Sequence, residues 1–431
     1  MTSFTAQKAM ALPGSSALQK VRSDFAHELQ DTPRPTSRDE LWRYSKIDSL
    51  NWDKFSPLDA EDVQNLRKEN LPGGGPAARD IGERSCLVIF HNGVIVHVDL
   101  SQELVDKGVK VYDALCPGAF YEDEANSLRI EYDIDPGYSH IELLRNAFSI
   151  SKCVIEIPDD VVIGDPIVIV HWVDKRRKAV FPIVEIKAGT SSEVTVVERF
   201  ESADDIDILT APATYIKAGD NSSIKYVQAQ QFGNKTWNMN RLEAYGGRDS
   251  LTNISCIGMG GHYSRTRVIT NLMGENSSSN INNVYAGSGN QVLDFRTNQN
   301  HYGNSSTSNL EFKGAVSNSA GSVYSGLIYI DEKASGCNAD QSNKALVLTS
   351  GATAHSVPNL EINNDDVSCS HESAVGEVDA EQMYYLALRG FDSLEAKQLI
   401  VAGFFEDILS RFPIPGLAES LRKEVFQKVT A

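Results

Sequence analysis

In the run Glu361-Ile362-Asn363-Asn364-Asp365-Asp366-Val367-Ser368-Cys369-Ser370-His371-Glu372, a cysteine and a histidine stand two apart. On an extended strand such a pair shares one face, and the next residue takes the other. Cys369 and His371 therefore offer a thiolate and an imidazole to one metal or sulfur atom, while Glu372 points away. This pair of a soft and a borderline donor suits iron, zinc or an iron-sulfur unit. Two donors leave a site incomplete, so a partner chain or distant residues such as Cys337, His355 or His301 must supply the rest. The competing role for an isolated Cys-x-His on a strand is packing and hydrogen bonding.

Other chemistries lack their signatures. The sequence holds no glycine-rich phosphate loop ending in Gly-Lys-Ser or Gly-Lys-Thr, which excludes nucleotide hydrolysis by that route. It also lacks His-Glu-x-x-His, Cys-x-x-Cys and Gly-x-Ser-x-Gly. The clusters Gly258-Met259-Gly260-Gly261 and Gly287-Ser288-Gly289 read as tight turns between strands. With 58 acidic against 40 basic side chains, a net charge of -18 and no long basic run, a nucleic-acid partner is not expected. Met1 to Leu12 has no apolar run of signal length, and no later stretch approaches the roughly 20 apolar residues of a membrane helix. The expected location is cytoplasmic, off the membrane, with the six scattered cysteines as free thiols.

The elements around the Cys-x-His strand follow from periodicity. Ala17, Leu18, Val21, Phe25 and Leu29, with Ser15 or Ser16 as cap, predict an amphipathic helix. Asp59 to Leu71 predicts a second, ending at Pro72 and three glycines. From Cys86 onward short Val- and Ile-rich strands alternate with Gly, Pro and Asp turns, and from about 215 to 365 they become polar, with twelve asparagines between 251 and 320. This excludes a doubly wound α/β domain and suits a sandwich or a parallel β-helix. A strand series of some 250 residues without a linker favours the β-helix, although no fixed-period repeat is visible. Past it, Asp379 caps a predicted helix over Ala380 to Leu388, stopped at Arg389-Gly390. Ser393 starts a longer one with Ala396, Leu399, Ile400, Gly403, Phe404, Ile408 and Phe412 on one face, and Leu417, Leu421 and Val425 mark a final helix. The chain thus divides into a helical region over 1–80, a β-helix core over 81–375 with its rungs clearest from about 150, and a helical domain over 376–431.

Several of these segments resemble the SufB/SufD family of iron-sulfur cluster assembly proteins. The resemblance is carried by Asp340-Gln341-Ser342-Asn343-Lys344, Pro358-Asn359-Leu360-Glu361-Ile362, Cys369-Ser370-His371, Tyr385-Leu386-x-x-Arg389-Gly390 and Gly403-Phe404, and near the start by Glu40-Leu41-Trp42-Arg43-Tyr44. It implies a central right-handed parallel β-helix between helical ends, and a complex with a SufB-like subunit and a SufC-like ATPase that hydrolyses the nucleotide. In that complex the two β-helices pair, the ATPase binds the C-terminal helices, and a nascent iron-sulfur cluster forms at the interface; no tightly bound cofactor is expected in the chain alone. Ala352 stands where SufB members carry a cysteine ahead of an Ala-His-Thr-x-Pro-like stretch, here Ala354-His355-Ser356-Val357-Pro358, so the chain is most like SufD. Glu372-Ser373-Ala374 is more SufB-like and leaves a homodimeric, SufB-like scaffold as the alternative.

The expectation is a non-catalytic scaffold subunit. The resemblance assigns His371 to the cluster site, with Cys369 and Glu372 beside it. Phe404, Ile408 and Leu399 are expected to dock the ATPase, and Asn363, Asn364 and Val367 to pair with the partner. A secreted β-helical polysaccharide enzyme or adhesin is the reading from another class, resting on Asn-x-Ser/Thr sequences such as Asn276-Ser277-Ser278 and on the carboxylates Asp204, Asp205, Asp207, Asp365 and Asp366.

Overall fold

The structure is a computed structural model that describes residues 3–68, 82–116, 128 and 136–430. Strands dominate the middle of the chain and many are buried along most of their length, but successive strands there do not pair with each other. They alternate between two parallel sheets. The first runs from Lys152–Ile157 through eight stacked strands to Thr353–Ile362, and the second from Ile167–Val173 to Val367–Gly376. The chain therefore winds through about eight turns of a parallel β-solenoid, as expected from the sequence. At its start Cys86–His91 pairs antiparallel with Val94–Leu100 and parallel with Ile167–Val173.

The missing fixed period has a geometrical reason. Ser223 lies beside Leu251, Leu251 beside Ser278, Ser278 beside Thr307 and Thr307 beside Asn338, so the repeat runs 28, 27, 29 and 31 residues. The strands stay in register while the turns absorb the difference. One turn is nevertheless copied down the stack: Ser191, Asn221, Asp249, Asn276 and Ser305 all hold a left-handed backbone. Short polar side chains tolerate that conformation best after glycine. Each donates its N–H to the next turn, Asn221 to Arg248 O at 2.8 Å and Asn276 to Asn304 O at 2.9 Å. Gly219 sits in the same stack because a Cβ there would lie 2.8 Å from the Ala188 carbonyl oxygen. Not all the asparagines serve turns. Asn253, Asn280 and Asn309 form an amide ladder on the outer face of the second sheet, with N–H···O distances of 2.8 and 3.0 Å.

Inward side chains fill the solenoid, among them Ile155, Ile186, Ile216, Leu242, Phe295 and Phe312. Both outer faces are also apolar in part, which explains where the helices go. Helices α1 (Ala6–Met10), α2 (Ser16–Asp31) and α3 (Ala60–Lys68) belong to the N-terminal region, α2 being capped by Ser15 as expected. The part of the second predicted helix beyond Lys68 lies outside the described residues. With α5 (Ser139–Phe148), much of this region packs on the outer face of the first sheet. Sequence patterning did not yield α5, although Ser139, Glu142 and Arg145 recur at a spacing of three on one side; nine of its ten residues are buried, and that polar side is covered as well. The short α4 (Gln102–Asp106) lies beside the first strands.

The last helices are α6 (Ala380–Leu388), capped by Asp379, α7 (Ser393–Leu409) and α8 (Pro415–Thr430). α7 starts with a capping box between Asp392 and Glu395. Its packed face matches the expected one in part, since Ala396, Ile408 and Phe412 are buried as that face required. Val401, Phe405, Ile408, Leu409 and Phe412 press on the second sheet, while Leu399 is exposed and Phe404 half-buried. The helix is apolar on more than one side, so periodicity alone could not choose the face. Val425 of α8 is buried as expected, and the side chains of Leu417 and Leu421 lie outside the described residues. No helix among the described residues is long and apolar enough to cross a membrane.

Candidate functional site

The Cys-x-His strand, Val367–Gly376, is the last strand of the second sheet and pairs on one side only. Alternation turns Val367, Cys369, His371, Ser373 and Val375 toward the solenoid interior, where the turn below provides Cys337, Ala339, Gln341, Asn343 and Ala345 as neighbours. No further turn lies above them among the described residues. Positions that are interior everywhere else are thus open here. Cys369 is half-buried against Cys337, Ala339, Ile328 and Ile330, and this burial pushes its thiol up from the ordinary value. His371 is exposed and lies beside Gln341, which is buried and has both amide atoms without a hydrogen-bond partner among the described residues.

Glu372 takes the opposite face, as the spacing required. It accepts a hydrogen bond from Ser342 Oγ at 3.2 Å and pairs with Lys344 at 3.1 Å, and the lysine holds its carboxyl below the ordinary value. With Asp340, Ser370 and Arg411 it lines an open groove of about 670 Å³ on the outer face of the second sheet. It is therefore on the other side of the strand from the Cys369 and His371 side chains.

The distant candidates divide. Cys337 lies beneath the last strand, its thiol 3.3 Å from Ser306 Oγ. His301 is fully buried, each ring nitrogen 2.8 Å from a serine hydroxyl, Ser306 or Ser308, and Gln299 donates to Ser308 at 2.7 Å. Burial pulls its imidazole down to about 4. The sign follows: between about 6.5 and 4 the unfolded chain binds a proton that the folded one refuses, so stability falls as pH falls through that window. Replacing His301 by Gln is expected to remove up to roughly 3 kcal/mol of that acid dependence, measured as the slope of unfolding free energy against pH. His355 points out of the first sheet, stacked on Tyr44 with centroids 4.7 Å apart. Among the described residues no group of three or more His, Cys, Asp or Glu side chains is arranged to hold a metal ion.

The residues expected to meet partners are also distributed unevenly. Asn364 holds its own turn, donating to Glu332 O at 2.9 Å and accepting from the Asp366 N–H at 2.9 Å. Asn363 is exposed, and Val367 is half-buried on Cys337 rather than displayed outward. The open apolar side chains of the end are instead Leu360, Ile362 and Val375. On the helices Leu399 is exposed and Phe404 is half-buried beneath Lys313, whose Nζ is 5.4 Å from the ring. Ile408 is fully buried on the second sheet, so as a surface contact it is corrected: its methyls already fill the space between α7 and the strands. Tyr384, Leu388 and Leu394 are exposed near Leu399 in the sequence.

Local sequence gave no hint of a polar chain inside the solenoid. His171, stacked between Phe90 and Phe200 at 4.5 and 4.4 Å, meets Glu198 at 2.6 Å; Thr214 and Tyr226 donate to the same carboxylate, and Gln228 and Asn240 continue the chain. Its members are up to 69 residues apart, His171 to Asn240, and meet only when turns stack.

Comparison with known proteins agrees with this arrangement. The family described as "SUF system FeS cluster assembly, SufBD core domain" matches residues 171–404. The chain is 28% identical to the iron-sulfur cluster assembly protein SufD of Bacillus subtilis over 96% of this chain and 94% of that one. It is 28% identical to the protein of the same name from Escherichia coli over 55% of this chain and 56% of that one. A SufBD family protein of Synechocystis is 24% identical over 95% of this chain and 90% of its own length. With its two-sheet parallel solenoid, helical ends and Cys-x-His strand at the open end, the chain belongs to the SufBD core family of the SUF system for iron-sulfur cluster assembly.

Proposed function

We propose that the chain is a non-catalytic, SufD-like scaffold subunit of a cytoplasmic SufBCD-type complex. Its open solenoid end pairs with a SufB-like subunit, and a nascent iron-sulfur cluster is cargo at the paired end. The observation that carries the reading is the uncovered interior. Ile328 and Ile330 are fully buried, yet Leu360 and Ile362, their neighbours one turn on, are 39% and 41% exposed. Stacked repeats bury their faces against neighbours and need a cap at each end. A second solenoid end would cover these side chains and pair the free strand edges. His371 and Cys369 then contribute two donors, and the partner completes the set.

A SufC-like ATPase docks on the exposed apolar side of the C-terminal helices, which include Leu388, Leu394 and Leu399. Co-purification tests both contacts. The wild-type chain is expected to retain the ATPase and the SufB-like subunit, and Leu399→Asp to lose the ATPase by about a hundredfold while keeping the other subunit. Retention of the ATPase by Leu399→Asp would move its docking site off this face. A complex containing only a second copy of the chain would favour the homodimeric scaffold.

A further inference from the structure

The segment Glu40-Leu41-Trp42-Arg43-Tyr44 is given no function in the reading above, yet side chains of the first sheet hold it at several points. Four side chains of the first sheet occupy one outward column on successive turns. Arg265 lies beside Asp294, Asp294 beside Val323, and Val323 beside His355 on the last turn. The segment runs along this column toward the open end. Trp42 is buried, with the Arg265 guanidinium 3.9 Å from its ring, and Arg265 also donates to the Leu41 carbonyl. Arg296 donates to the Arg43 carbonyl at 2.9 Å.

Fully buried Asp294 holds both arginines, Arg296 at 2.7 Å and Arg265 at 3.8 Å, and accepts from Tyr263 OH at 2.8 Å. Cations so fixed bind main-chain carbonyls with little further loss of freedom. The segment is therefore held at two points before it reaches Tyr44. There the backbone turns left-handed, with φ of 65°, and the ring stacks on His355 at an interplanar angle of 11°. A residue with a β-carbon is uncommon in that region, so this turn of the backbone marks a position held by its surroundings.

We propose that Tyr44 is a positioning residue for the pairing surface: the Trp42-Arg43-Tyr44 strap, anchored on Arg265 and Arg296, holds the His355 imidazole flat at the rim of the last turn, where a SufB-like solenoid docks. The inference rests on the reading that partners pair through the open end. Tyr44 is 46% exposed. The stacked pair thus adds an aromatic surface on the outer face of the strand whose inner face carries Leu360 and Ile362.

The test is the affinity of the full-length chain for the SufB-like subunit, measured by calorimetry. Tyr44→Ala is expected to weaken binding about threefold to tenfold without lowering the thermal midpoint. Tyr44→Phe should restore it, because the stack needs the ring and not the hydroxyl, and Tyr44→Ala with His355→Ala should weaken it no more than either alone. Leu360→Asp separates the two ideas. If Leu360→Asp abolishes pairing and Tyr44→Ala leaves it unchanged, the strap proposal fails and the open-end reading stands. Unchanged affinity in both variants would overturn both.

Discussion

His371→Ala is expected to lower iron and acid-labile sulfide in the anaerobically purified complex by about tenfold or more, with subunit pairing and ATPase stimulation intact. The side chain is exposed at the open end, so its loss creates no cavity and costs the fold little. Its chemistry is what alanine lacks: a neutral imidazole binds iron through one nitrogen while the other is held by a hydrogen bond. Gln341, beside it with both amide atoms free of partners among the described residues, is placed to provide that bond. Cys369→Ala should have a smaller effect, since burial keeps its thiol protonated more firmly than an exposed one. Undiminished iron and sulfide in an intact His371→Ala complex would reduce this residue to an interface histidine.

The second large effect is expected from Leu360→Asp. In the isolated chain Leu360 is 39% exposed, and a carboxylate there is hydrated, so the thermal midpoint should move little. When a second solenoid covers the end, the same carboxylate loses its water without gaining a cation, which costs several kcal/mol. Pairing should weaken more than about a hundredfold at neutral pH, as read by size-exclusion chromatography and calorimetry. Wild-type pairing in this variant would place the interface elsewhere on the molecule.

Local signals in the sequence were reliable where a single element determines them. Ser15 and Asp379 cap the helices they were expected to cap, and Cys369 and His371 share a strand face with Glu372 opposed. The solenoid was legible as a class because strands without intervening helices leave few alternatives, but its repeat was hidden by turns that vary in length. What single elements could not decide was which side of each a second element covers. Ile408 and Leu399 lie on one continuous apolar helix, and only the position of the second sheet tells which of them is buried. The Arg265–Asp294–Arg296 anchor joins residues that are adjacent only after two turns have stacked, more than 200 positions from the tryptophan it holds.

A stack whose turns touch only their neighbours would unfold as a one-dimensional array, fraying from its ends. Here the outer elements cross several turns. On one side residues 41–44 join the strands bearing Arg265, Arg296 and His355. On the other, the last two helices and the turn between them reach Met259 through Lys428, Glu311 through Arg411 at 2.6 Å, and Leu348 through Lys397. These outer elements link turns that do not touch each other directly, which should add long-range cooperativity to the nearest-neighbour stack. The open end should then resist fraying, and denaturant should unfold the whole stack in one sharp transition.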